Sequence, residues 1–118
     1  MNMNSLKNRV QLIGNLGQAP EVKQLESGKQ VARLSLATNE VYRKENGEKV
    51  TETHWHSLTA WGKLAEIAQK YLTKGSEIAI EGRLTYREYT DKDGIKRYAT
   101  EIVVTDLLML DKKSGNEV

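Results

Sequence analysis

Apolar and polar positions alternate most cleanly over residues 31–42. Ala32, Leu34 and Leu36 share one parity, while Arg33, Ser35 and Asn39 share the other. A period of two over this length predicts a strand with one face on a core. Residues 9–16, from Arg9 to Leu16, are rich in β-formers and stop at Gly17, which predicts a first strand; Gly14 within it marks a bulge or a bend. The single proline, Pro20, falls in the loop that follows. Asn46-Gly47 ends a polar stretch and signals a hairpin, whose second strand runs from Val50 to Trp61. The period then changes. Leu64, Ile67, Ala68, Tyr71 and Leu72 stand at i, i+3, i+4, i+7 and i+8, one face of a helix over residues 63–74. Gly75 follows, where a left-handed C-terminal cap would want glycine. Residues 76–89 return to alternation with Ile78, Ile80, Leu84 and Tyr86 on one side. Asp91-Lys92-Asp93-Gly94 makes a turn, and residues 95–110 form a last strand.

Three strands, one helix and two strands are the order of an OB-fold. The expectation is a mainly β, five-stranded barrel with one α-helix between strands 3 and 4. Strands of a dozen residues are long for so small a chain and imply strong bending or hairpins that extend beyond the barrel. At 118 residues the chain is one domain, long enough for one core. The domain is expected over residues 1–110. Residues 111–118 are polar, carry no net charge and read as a flexible end.

Composition narrows the chemistry. Charged residues make up 29% of the chain and hydrophobic ones 38%, which excludes a disordered polyelectrolyte. Lys and Arg number 18 against 16 Asp and Glu, a net charge of +2. That excludes a histone-like polycation but leaves room for a local basic groove. With no cysteine there is no disulfide, thiolate metal site or cysteine nucleophile. The first residues contain no signal-like apolar run, and no stretch reaches the ~18 apolar residues of a membrane span. A soluble cytoplasmic protein without a membrane partner is expected. His54 and His56 form a His-x-His pair with no third ligand evident in the sequence, and Gly14-Asn15-Leu16-Gly17 lacks the Lys-Ser/Thr ending of a phosphate loop. No Gly-x-Ser-x-Gly elbow occurs, and the carboxylates are scattered among cations rather than paired for acid–base work. No enzyme, cofactor or metal is expected.

The aromatics are more informative. There are two Trp, five Tyr and no Phe, so Leu, Ile and Val must fill the core while the rings carry polar tips suited to half-wet positions. Trp55 and Trp61 share parity with Thr51, Thr53, Ser57 and Thr59, a largely polar strand face. Arg83, Thr85, Arg87 and Tyr89 share a face in the next strand, opposite Leu84 and Tyr86. Rings interleaved with cations suit single-stranded nucleic acid, because every base offers a π-face and every linkage a phosphate. The alternative reading of the same residues is that Trp55 and Trp61 cap the barrel core or a subunit interface.

Longer stretches bear on that choice. Gly14 through Val22, Ala32 through Thr38, Trp55-His56, Trp61 through Glu66, Tyr71-Leu72-x-Lys74-Gly75-Ser76 and Ile80 through Leu84 resemble, in order, bacterial single-stranded DNA-binding proteins, over about residues 7 to 110. The resemblance implies an OB-fold, a homotetramer, and sequence-independent binding and protection of single-stranded DNA in replication, recombination and repair, in the bacterial cytoplasm and at the nucleoid. It implies base stacking on Tyr42, Trp55, Trp61 and Tyr89, with Tyr in place of the commoner Trp at 42 and 89, and Trp61 where Phe is common. It implies phosphate contacts from Arg9, Arg33, Lys63, Lys74 and Arg87, with Lys44 and Lys49 on a hairpin, and a subunit contact at His56. Ser57 and Glu88 stand where the family commonly has cations. Many members also carry an acidic tail tip ending in Phe that docks replication and repair enzymes. The sequence given ends at Val118 without one, either as a piece of a longer chain or as a short variant. It does not itself support recruitment of replication and repair proteins through such a tip, though they stay among the partners the resemblance allows. A second reading keeps the fold and changes the role: a protein-interaction OB module, such as a primosome component, would use the same face for a partner protein.

Overall fold

The computed structural model describes residues 7–110. Its elements are β1 (Val10–Leu16), β2 (Glu21–Gln24), β3 (Gln30–Arg43), β4 (Lys49–Trp61), α1 (Lys63–Tyr71), β5 (Glu77–Thr90) and β6 (Lys96–Met109). The sheet order is β1-β5-β6-β4-β3-β2, and a further β1–β3 pairing closes it. Five strands therefore form a closed barrel, and α1 lies between the third and fourth of them in the chain. The OB-type expectation holds.

The additional strand is β2, which sequence reading left inside the loop around Pro20. It pairs antiparallel with the first part of β3, from Glu21 opposite Arg33 to Gln24 opposite Gln30. Only Val22 in it is even partly buried, so no alternation announced it. Closure happens at the end of β1. There Asn15 and Leu16 pair with Ala37 and Leu36 of β3, while Val10 to Asn15 pair with Gly82 to Glu77 of β5. Gly14 sits where the two neighbours converge, and a Cβ there would run into the carbonyl oxygen of Ala37. The bend that glycine suggested is this close approach of two backbones.

The interior is aliphatic: Leu34, Leu36, Leu58, Ile78, Ile80, Ile102 and Val104 from the barrel strands, closed by Ala65, Ala68 and Leu72. The helix differs from expectation in two ways. Its buried stripe is Ala65, Ala68 and Leu72, and Tyr71 is exposed. Small alanines let the helix axis come close to the barrel mouth, which turns the bulky Tyr71 outward. The helix also stops at Tyr71, because Leu72 is extended at φ −101° and ψ 141°. Gly75 serves the turn into β5, where its N–H donates to the Leu16 carbonyl at 2.8 Å, and does not cap the helix.

Beyond the core, the long strands leave the barrel as two arms. The β3–β4 ladder continues to Arg43 opposite Lys49, and the β5–β6 ladder to Thr90 opposite Lys96. A register shift beside Gly82 adds one residue to β6 and starts the second arm. Leu84 and Tyr86 keep the parity of Ile78 and Ile80 but lie past the core, and Tyr86 is 72% exposed. The arms raise the radius of gyration to 16.8 Å, against about 13 Å for a compact chain of this size.

Gly14→Ala is expected to destabilise the fold by about 1–3 kcal/mol, since the added methyl meets the Ala37 backbone carbonyl, with the buried Leu36 side chain beside it. Urea unfolding of the two proteins measures it.

Candidate nucleic-acid interface

Odd positions of β3 and β4 face away from the core. The register sets Val31 opposite Trp61, Arg33 opposite Thr59, Ser35 opposite Ser57 and Ala37 opposite Trp55. The parallel pairing of Thr59 with Val103 carries this wall onto β6. The pairs Thr85–Glu101, Arg87–Ala99 and Tyr89–Arg97 carry it onto β5 and its arm. Trp55 is 60% exposed and Trp61 43%; neither is walled in by the subunit's own aliphatic side chains. Six residues of extended strand separate them by about 20 Å. A groove of about 730 Å³ crosses the wall, lined in part by Val22, Arg33, Thr59, Trp61, Arg87 and Glu101.

Each ring has its own setting. Trp55 lies against Gly17, where a Cβ would come within 2.5 Å of the indole Cζ3. The loop glycine thus clears a seat for the indole, a role no periodic pattern in the sequence discloses. Tyr89 stands out along the β5–β6 arm, with the Arg87 guanidinium 5.7 Å from its ring centroid, within cation–π range. Tyr42 is opposite Val50. Its even position puts it on the face of the β3–β4 arm opposite to Trp55, so the structure does not bring these two rings onto one wall.

The cations divide similarly. Arg33 and Arg87, from β3 and β5, meet at the groove on one carboxylate: Glu101 Oε2 accepts from Arg33 at 3.5 Å and from Arg87 at 3.2 Å. Lys63 opens α1 two residues after Trp61 and is exposed. Lys49 shares the parity of Trp55, at the arm's end opposite Arg43, while Lys44 in the adjoining turn reaches Glu48 at 3.9 Å. Lys74 lies in the turn between α1 and β5, and Arg9 is engaged by Glu81 on the β1–β5 sector; neither lines the groove. At the tip of the second arm, Asp91 accepts from Arg97 at 2.9 Å, and this guanidinium, with the Ile95 and Asp93 amides, holds its carboxyl below the usual aspartate range.

The histidines separate. His56 is half-buried, with Nε2 2.9 Å from the Thr38 hydroxyl. Beside His54 stand Glu52, two residues back on the same strand, and Glu40, which the fold brings in from β3, each 3.7 Å from Nε2, all three exposed on the arm. Glu101 was also missed. Its odd position in the last strand placed it on the outer face, but only the fold discloses which two strands it reaches.

A closed barrel whose outer wall presents bare indoles and paired guanidiniums beneath two arms is an OB-fold nucleic-acid-binding module. The single-strand binding protein family profile matches residues 7–110. The chain is 49% identical over 109 residues to single-stranded DNA-binding protein 1 of Chlorobaculum tepidum, covering 92% of this chain and 67% of that one. It is 45% identical to the single-stranded DNA-binding protein of Neisseria meningitidis, over 92% of this chain and 63% of the relative. Among solved structures, the Plasmodium falciparum SSB complex with ssDNA superposes with a TM-score of 0.81 at 36% identity, covering 94% of this chain and all of the other. The chain belongs to the single-strand binding protein family. It spans about two-thirds of the length of the curated relatives it matches.

The two faces of β4 should respond differently to truncation. Trp55→Ala is expected to change stability by less than about 1 kcal/mol, whereas Leu58→Ala, three residues on and fully buried, is expected to cost about 2–5 kcal/mol. Denaturant unfolding of both variants measures the contrast.

Proposed function

We propose that this chain binds single-stranded DNA without regard to sequence, coating and protecting it during replication, recombination and repair. The observation that carries the reading is the pairing of Trp55 and Trp61, bare on one wall of β4, with Arg33 and Arg87 at the groove beside them. Stacking needs only a flat base, so it tolerates any sequence. The guanidiniums answer the phosphates between bases and displace their counterions. Lys63 adds to the path beside Trp61, Tyr89 and Lys49 extend it along the arms, and Tyr42 and Lys44 serve a strand that passes around the first arm. Arg9 and Lys74 contribute only where the strand leaves the groove. No bond is made or broken, and no catalytic role is assigned to any residue. Among the described residues no helix is long and apolar enough to cross a membrane, and the bacterial relatives support a place in the cytoplasm and at the nucleoid. The domain comprises residues 1–110. The short polar end at 111–118 lies outside the described residues.

With a formal net charge of only +2, stacking carries much of the affinity. Oligo-dT is expected to quench the tryptophan fluorescence strongly, and Trp55→Ala to lose about 1–3 kcal/mol of binding free energy. A titration at low salt that leaves the fluorescence unchanged rejects the proposal.

A homotetramer completes the proposal. Among the described residues, Val10 to Gly14 pair on one edge only, with β5. Next to that edge, on the outer face that runs from β1 across β5 to β6, Ile13 and Leu108 are exposed at 61% and 62% and line a depression of about 670 Å³. An open strand edge next to an apolar patch fits pairing with a second copy, and His56 is assigned to a subunit contact. Light scattering is expected to give about four times the 13.4 kDa chain mass, and Ile13→Glu to give smaller species. Monomers of the unaltered chain at micromolar concentration reject the assembly.

A further inference from the structure

We infer that Glu101 is a positioning residue for DNA binding: it holds Arg33 and Arg87 side by side as one phosphate-binding fork, in place before any strand arrives. The inference rests on the single-strand reading above. Arg33 comes from β3 and Arg87 from β5, and in the sheet β4 and β6 lie between these strands. Two guanidiniums converging on one groove repel each other unless an anion lies between them. Glu101, on β6, is that anion. Its side chain is 14% exposed, against 57% for Arg33 and 49% for Arg87, so the carboxylate lies at the groove floor and the cations stand above it. The β6 backbone beneath is tied to β5 by the Thr85 hydroxyl, which donates to the Glu101 carbonyl at 3.3 Å.

The donor count gives the fork its use. A guanidinium has five N–H donors, and one from each arginine goes to Glu101. The remaining donors are left for phosphate oxygens, which suits the bidentate geometry that arginine brings to phosphates. Glu101 thus acts in two opposed ways. It lowers the charge of the trio from +2 to +1, weakening long-range attraction. It also fixes two long side chains in advance, so that DNA need not order them on binding. Salt separates the effects, because screening removes the first and leaves the second.

The test measures oligo-dT affinity across a salt series for the unaltered protein, Glu101→Gln and Glu101→Asp, with circular dichroism verifying the fold. Glu101→Gln is expected to steepen the slope of log K against log salt by about 0.7, the share of one more phosphate on a single strand. It is expected to bind at least as tightly as the unaltered protein at low salt and ~2- to 5-fold more weakly at high salt, the scale of one exposed ion pair, so the two lines cross. Glu101→Asp keeps the charge and shortens the reach. Its slope is expected to match the unaltered protein, with affinity ~2- to 5-fold lower throughout. Parallel lines for Glu101→Gln, tighter binding by it at every salt concentration, or Glu101→Asp indistinguishable from the unaltered protein overturns the inference. If Glu101→Gln does not fold, Glu101→Asp decides alone. Failure of the unaltered protein to bind oligo-dT overturns the single-strand reading instead.

Discussion

The barrel encloses no ring. Its buried interior is Leu, Ile, Val and Ala, and everything at the candidate interface depends on this choice. An aliphatic core of this width closes a five-stranded barrel with two small helix residues, Ala65 and Ala68, and Leu72 just past the helix, over its mouth. Once closed, it has no space for an indole. Trp55 and Trp61, on the outward parity of β4, are left on the wall. Exposed apolar rings are costly in water, and a surface that keeps two of them uncovered on one strand is suited to a partner that supplies flat faces. The seat cleared for Trp55 by Gly17 extends the same logic. The ring is supported from below and open above, which orients it without burying it.

Charge is arranged with comparable restraint. A strongly basic wall would hold DNA tightly in dilute salt and lose it as salt rises. Here the two arginines at the groove are already paired with Glu101, and on the second arm Arg97 pairs with Asp91 and Lys96 with Glu88. Pairing trims the long-range field while keeping donors in place. In the proposed mode stacking would supply the term that salt barely touches, and ion pairs at the surface supply geometry more than stability.

Much of this was legible in the linear sequence, for identifiable reasons. Ala32, Leu34 and Leu36 alternate because β3 has one dry face and one wet face, and the outward positions of Arg33, Trp55, Trp61 and Arg87 follow from parity alone. The hairpin at Asn46-Gly47 was equally plain. What escaped had no periodic signature. β2 is four residues long with one partly buried position. Tyr71 fits the helical spacing, but alanine size, not spacing, sets which helical stripe meets the barrel. Tyr86 continues an inward parity past the point where there is an inside. Glu101 joins arginines 68 and 14 residues away, and Glu40 reaches His54 only once the ladder is in register. Parity assigns a face, but only closure of the barrel assigns neighbours.

The arms are where these constraints are weakest. Past Thr38 the β3–β4 ribbon has no core beneath it, and both its faces are exposed out to Arg43 and Lys49. A two-stranded ribbon without a packed face is marginal in water. Glu40 and Glu52 stand directly opposite one another in it, a like-charge pair that costs stability. The Thr53–Asn39 hydrogen bond of 2.7 Å offsets part of that cost. The same holds at the other arm, whose tip is tied by Asp91 to the Arg97 side chain and to two backbone amides. In the proposed binding mode the barrel therefore provides a rigid wall for the first stacked bases. The arms supply rings and cations at adjustable positions around it, and a strand laid along Tyr89 or Lys49 would order them as it binds. In that mode, rigid stacking at the centre and yielding contacts at the margins would let one short domain accommodate a polymer whose bases differ in size at every step.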